Sequence, residues 1–282
     1  FRDHLFYEKI GKILDFFAEE IKQTFTNSEI FNIFSSNKKI LLYLFSNKLI
    51  NPADFINSIL QKSDKKYHLY FFPEIQSFVN DENRQKIEDE LKNLDSLVLK
   101  EFSKYRLIGE NDSYISELIR NDSIEEFVFY VNKTNLSLSK ATIKPSIFET
   151  HSFLLKNKEP TLIEYAAFFG SIQIFQYLRL NNVNLPPSLW LYAVHGKNAD
   201  LIHLLEELHV EPKDETYEEV FKEAIKCHHN DIANYIYCNL LDQDVEQDNI
   251  EINYDENALS YSFHYYNYEY FPKKFDNKFI FY

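Results

Sequence analysis

Cys227-His228-His229 is the densest run of metal-ligand residue types in the chain, with Cys238 eleven residues on and His203 upstream. A thiolate with imidazoles is a set that suits zinc. The spacing matches no common finger, however. Neighbouring residues on a helix point about 100° apart, so both histidines cannot readily face one ion together with Cys227. Cys227 beside His228 also raises the question of an activated thiol, but no third group stands nearby to orient the imidazole. A packed cysteine is therefore the expectation. Neither a metal, a cofactor nor a catalytic set is assigned. Four scattered glycines allow no Gly-rich phosphate loop, and no Gly-x-Ser-x-Gly elbow occurs. The paired Asp and Glu residues fall on amphipathic helices and read as solvated faces.

Residues 1–108 contain only His4 and His68 as histidines, a poor supply for a hydrolytic or metal-dependent enzyme hidden in that region. Such an enzyme is one alternative reading. A purely architectural spacer within a longer protein is another.

The bulk composition bounds the class. Of 282 residues, 45% are apolar and 26% charged, an ordinary globular balance. Aromatics reach 17%, with 26 Phe and 20 Tyr, and are expected to fill core space. A net charge of −14 repels phosphate backbones, which argues against nucleic acid as a partner. No run is long and apolar enough to predict membrane insertion: Ile40 to Phe45 is bounded by Lys38-Lys39 and Lys48. Two cysteines and no export signal point to a reducing, cytoplasmic setting. The absence of Met predicts that the numbered chain starts inside its gene product.

Helical periodicity dominates. Leu5, Phe6, Ile10, Ile13, Leu14, Phe17 and Ile21 predict one long first helix. Asn51-Pro52 predicts an N-cap and first helical position, opening a helix through Leu60. Ile87, Leu91, Leu94, Val98 and Phe102 predict a further helix. Residues 1–108 thus form an N-terminal helical region without clear repeats.

Helix pairs then recur at intervals near thirty residues. In Thr161 to Leu180, Ala166-Ala167 lies in a first short helix, Gly170 makes the turn, and Ile172, Phe175 and Leu178 line a second. Aligning Ala166 with Ala193 and then with Ala224 repeats the scheme: Phe175 and Leu178 fall on Ile202 and Leu205, then on Ala233 and Ile236. A fainter copy lies at Leu118-Ile119, Asp122-Ser123-Ile124, Phe127 and Tyr130. Residues 109–241 read as this array, with an insertion at 133–160 holding an extra helix from Pro145 to Leu155. Residues 242–282 read as an acidic linker followed by the aromatic start of a further repeat.

Thr161 to Leu180 resembles an ankyrin repeat, keeping Thr161, Ala166, Ala167 and Gly170 of its signature and departing at Leu162, Ile163 and Glu164. Lys197 and His228 stand where the turn glycine belongs in the next two units. The wider stretches Ser146 to Glu149, Glu164 to Ser171, Glu223 to Asn230 and Tyr266 to Phe271 are similar to a large trichomonad-type ankyrin family. In that family a helical segment of unknown function precedes the ankyrin array. The resemblance implies an all-α fold: an ankyrin-like α-hairpin solenoid after an N-terminal helical region. It also implies a non-enzymatic scaffold or adaptor that binds another protein on its concave inner-helix face. By register that face carries Tyr165, Phe168, Phe169, Tyr192, His195, Glu223 and Lys226, and exposed aromatics beside a charged pair would suit an interface.

Overall fold

The computed structural model describes residues 4–157, 159–213, 215–241 and 256–271. Among them it is all-helical, with no strand and one isolated antiparallel bridge between Thr142 and Thr161. Two compact units form. One comprises residues up to 117 together with 144–159, the other 118–143 together with residues from 160 onward. Residues 109–117 and 144–159, which the repeat pattern counts with the array, therefore pack with the first unit.

The first unit opens with α1 (His4–Phe16), α2 (Ala18–Thr24), α3 (Asn27–Phe34), α4 (Lys38–Ser46) and α5 (Pro52–Leu60). It continues with α6 (Lys65–Tyr70), α7 (Phe72–Ile75), α8 (Asp81–Leu91), α9 (Ser96–Lys100) and α10 (Phe102–Ile108). The predicted long first helix is in two pieces, broken at Phe17, whose φ and ψ of −97° and 15° leave the helical well. The α5 prediction holds to the residue: the Asn51 side chain accepts from the amides of Ala53 and Asp54, and Pro52 starts the helix. The stripe from Ile87 to Phe102 is split, because Asp95 accepts from the Leu97 amide at 2.7 Å and starts a new helix there.

Rings fill this core as the composition predicts. Phe55 is fully buried, with ring centroids 4.7 Å from Phe45, 5.3 Å from Phe71 and 5.9 Å from Phe31. Beside them Arg106 makes a two-pronged pair with Glu74, at 2.8 and 2.7 Å, and donates to the Tyr70 carbonyl at 3.0 Å.

The unit boundary falls within α11 (Tyr114–Arg120), which is followed by α12 (Ile124–Thr134). The helix expected from Pro145 to Leu155 is only α13 (Ser152–Lys156). Upstream of it, side chains satisfy the backbone locally in place of a helix. Ser146 Oγ accepts from the Phe148 amide at 3.0 Å. Glu149 Oε1 accepts from the amides of Thr150 and His151 at 2.9 and 2.7 Å.

The second unit is built from helix pairs: α14 (Leu162–Phe169) with α15 (Ile172–Leu180), α16 (Leu189–Gly196) with α17 (Ala199–Glu207), and α18 (Glu218–Lys226) with α19 (Asn230–Ile236). A π-helical turn at Tyr237–Leu241 follows, then α20 (Glu256–Tyr265) and a 3-10 turn at Tyr268–Tyr270. Along the chain α14 packs on α16, α16 on α18 and α18 on α20. Ala166, Ala193 and Ala224 are all fully buried where these helices meet, as are Phe175, Leu205, Ala233 and Ile236 on the second helices. Most of the predicted acidic linker, and all of Lys278 to Tyr282, lies outside the described residues.

One turn recurs through this unit. Asp122, Gly170, Lys197, His228 and Tyr266 all take a left-handed backbone, with φ between 46° and 59°. Each stands two residues before the next helix, at Ile124, Ile172, Ala199, Asn230 and Tyr268. In four of the five, the following amide donates to the carbonyl five residues back: Ser123 to Leu118, Ser171 to Ala166, His229 to Ala224 and Asn267 to Ser262, at 2.9–3.0 Å. This closure satisfies carbonyls that a helix end otherwise leaves bare. Lys197 and His228, the apparent departures from a glycine, hold the same conformation as Gly170.

Candidate functional site

The residues expected to form an open binding face come from the first helices of the pairs, and the fold brings them into one continuous run of contacts. Arg120 Nη1 donates to the Tyr165 hydroxyl at 3.2 Å. The Tyr165 ring lies 4.8 Å from Phe169, which lies 5.0 Å from Phe168. Phe168 meets Tyr192 edge-on at 6.5 Å and stacks on the His195 ring at 5.0 Å. His195 Nε2 donates to Glu223 Oε1 at 3.0 Å, and Lys226 Nζ donates to the two Glu223 oxygens at 2.7 and 2.8 Å.

The exposure differs from the expectation. Tyr165, Phe168, Phe169 and Tyr192 are buried, at 1%, 4%, 9% and 5%. The inner helices approach closely enough, through their alanines, for these rings to pack on one another instead of facing solvent. They are core. His195 and Glu223 are half-buried, and Lys226 is exposed. What solvent meets on this face is a polar rim over an aromatic floor.

Thr161 and Glu164 start the face. The Thr161 side chain accepts from the Glu164 amide, and Glu164 Oε2 accepts from the Thr161 amide at 2.8 Å, a reciprocal cap. Glu164 Oε1 also accepts from Ser188 Oγ at 2.6 Å. Glu164 thus has a local use at the start of α14.

Cys227 has different partners from those its sequence neighbours offer. Its sulfur lies 3.5 Å from His195 Nδ1 and 3.8 Å from Nε2. The left-handed His228 is exposed. His229 Nδ1 donates to the Val194 carbonyl at 2.7 Å. His203 lies with Tyr235, Nδ1 to hydroxyl at 3.1 Å. Among the described residues, His195, Glu223 and Cys227 are the one such group, with donor atoms all within 4.8 Å of one another. The register of Ala193 with Ala224 puts His195 and Glu223 on one face. Nothing in that register links either to Cys227, which ends the helix that carries Glu223.

The electrostatics of the cluster are lopsided. Burial works to raise the Glu223 carboxyl, but hydrogen bonds from His195 and Lys226, with their charges, overcome it and hold the group down at about 2. Burial pushes the Cys227 thiol up to about 12, and the Glu223 carboxylate adds to the effect against Lys226. A thiol so placed is protonated at neutral pH and a weak nucleophile. Its near-equal distances to both ring nitrogens also put it out of line with the lone pair of either. Burial, with the Glu164 carboxylate, raises the Tyr192 phenol as well.

In the first unit, a groove of about 680 Å³ is lined in part by Lys62, Lys65, His68, Lys86, Asp89 and Glu90. His68 Nε2 is engaged by the Ile59 carbonyl at 3.1 Å. No helix among the described residues is long and apolar enough to cross a membrane. Comparison with protein-family models, with curated proteins and with solved structures found no match.

Proposed function

We propose that the second unit is an ankyrin-like stack of α-hairpins and that the chain works, without catalysis, by holding another protein against it. The observation that carries this reading is the recurrent left-handed turn, set four residues after each of Ala166, Ala193 and Ala224. A helix pair of this size cannot bury its own apolar face, so neighbouring pairs supply each other's walls and leave one side of the array for a partner. The half-buried rim of His195 and Glu223 and the exposed Lys226 form the accessible end of that side, and the four aromatics act as its rigid support. The protonated, out-of-line Cys227 thiol favours binding over nucleophilic chemistry. The acidic net charge favours a protein over a nucleic acid as the ligand.

Affinity capture from native cells tests the reading. The wild-type chain should retain a discrete protein that Lys226→Glu loses while keeping its melting temperature. Tyr192→Ala should lower that temperature, as removal of a packed ring does. Retention of the same protein by Lys226→Glu would refute the assigned face. A chain that retains no protein in any form would favour an architectural spacer.

A further inference from the structure

We propose that His195, Glu223 and Cys227 form a binding site for one divalent cation of the zinc class. The donor types are those zinc prefers: imidazole nitrogen, carboxylate oxygen and thiolate sulfur. Two of them, Glu223 and Cys227, stand four residues apart and so share one face at the end of α18. The third comes from α16, which packs on α18.

The distances suit the ion. Bonds of about 2.0–2.3 Å at tetrahedral angles put neighbouring donors about 3.3–3.8 Å apart. His195 Nε2 lies 3.0 Å from Glu223 Oε1 and 3.8 Å from Cys227 Sγ. The donors are gathered but do not yet converge: the sulfur lies to the side of the imidazole, so the Cys227 side chain must turn toward the Nε2 lone pair as the carboxylate moves outward. All three residues keep some exposure, the side chains of His195 and Glu223 at 9% and 15%. Phe168, stacked on the imidazole, fixes the ring plane.

Binding balances without any redox step. The Cys227 S–H bond breaks, its proton passes to solvent, and the sulfur's electron pair forms the metal–sulfur bond. The Nε2 proton that His195 now donates to Glu223 moves to Nδ1 or leaves, and frees that nitrogen. Lys226 is the competitor: its ammonium holds both Glu223 oxygens and must release Oε1, while Oε2 can stay with it. The site shares His195 and Glu223 with the proposed protein-holding rim, but metal binding is read on the purified chain alone, so its failure is distinguishable from failure to hold a protein.

The experiment is a cobalt(II) titration of the full chain carrying Cys238→Ser, which removes the other thiol. One equivalent of cobalt should give a near-ultraviolet thiolate-to-cobalt band that zinc then bleaches. Cys227→Ser should abolish the band. His195→Ala and Glu223→Gln should weaken binding by roughly 10- to 100-fold or more. Lys226→Met should tighten it, a result that a merely structural role for the cluster would not give. Far-ultraviolet circular dichroism checks that each variant is folded. Absence of the band in the folded parent, its survival in Cys227→Ser, or binding indifferent to His195→Ala would each overturn the assignment.

Discussion

Lys38 shows how a single side chain carries a conflict that the sequence does not reveal. It starts α4, where a cation is out of place beside the positive end of a helix, and it is 3% exposed. Its ammonium donates to the Ile147 carbonyl and lies 5.0 Å from the centre of the Tyr70 ring. Burial, helped by Lys66, lowers its pKa from 10.5 to about 8, against the carboxylates of Glu149 and Asp64. Between those two values the folded chain has released the proton while the unfolded chain still holds it. Unfolding then takes up a proton, so rising pH opposes unfolding. Urea denaturation should therefore show stability climbing from about pH 8 to about 10.5 relative to Lys38→Met, which lacks the titrating group. Below pH 8 the burial penalty is fully present, and there Lys38→Met should equal or exceed the wild type. Parallel profiles for the two chains would contradict the placement of Lys38.

Residue types told part of this and missed part. Asn51-Pro52 and Thr161 were legible because a cap is decided within four residues. The core alanines were legible because they recur in register. The Cys227 contacts were not, since His195 is brought to the sulfur by packing across 32 positions. The burial of Phe168 and Tyr192 was not legible either. An aromatic on an inner helix faces a neighbour or a partner according to how closely the helices approach, and a sequence states no distance.

At the scale of the element, the recurring turn decides where each helix stops. Gly170 adopts φ of +59° at no steric cost, whereas Lys197 adopts φ of +46° with a Cβ in place. Opposite signs are therefore expected from two exchanges. Lys197→Gly should stabilise the protein by about 1 kcal/mol and Gly170→Ala should destabilise it by at least about that much, both read from guanidinium midpoints. Equal signs would show that the two turns are not equivalent. The neighbouring Gly196 answers to a different constraint: a Cβ there would come 2.5 Å from the Ala167 carbonyl oxygen and 3.3 Å from the Gly170 nitrogen. The glycine lets α16 pass close to the end of α14. A search for turn glycines reads Lys197 and His228 as mismatches. The backbone needs only the left-handed conformation there, and a residue other than glycine can supply it at a modest energetic cost.

The same turns connect the pairs to one another. Ser171 Oγ donates to the Ile119 carbonyl, Asn198 Nδ2 to Gly170 at 3.0 Å, His229 Nδ1 to Val194 at 2.7 Å and Asn267 Nδ2 to Ile225 at 2.8 Å. In each case the residue just after the left-handed position reaches back to the preceding pair. Side chains of three kinds perform one task, which is why residue identity alone did not expose it.

At the scale of the whole molecule, the all-α class was legible from helical periodicity. The limits of the two units were not. Residues 144–159 read as an insertion in the array, yet Phe148 packs at 5.2 Å from Phe102 and 5.6 Å from Tyr105 in the first unit. That contact is long-range and leaves no local trace. Residues 242–282 read in sequence as an acidic linker and the aromatic start of a further repeat. In space α20 lies on α18, and Ser262 takes the buried place that Ala224 holds one pair earlier.

Amide hydrogen exchange across the second unit tests whether one hairpin turn is repeated from pair to pair. Ser123, Ser171, His229 and Asn267 sit in turns, where exchange is ordinarily fast, yet each donates to a carbonyl five residues back. All four should be protected together, at the level of the helices they terminate. Exchange at the rate of open loops for these four amides, beside protected helices, would contradict that repeat.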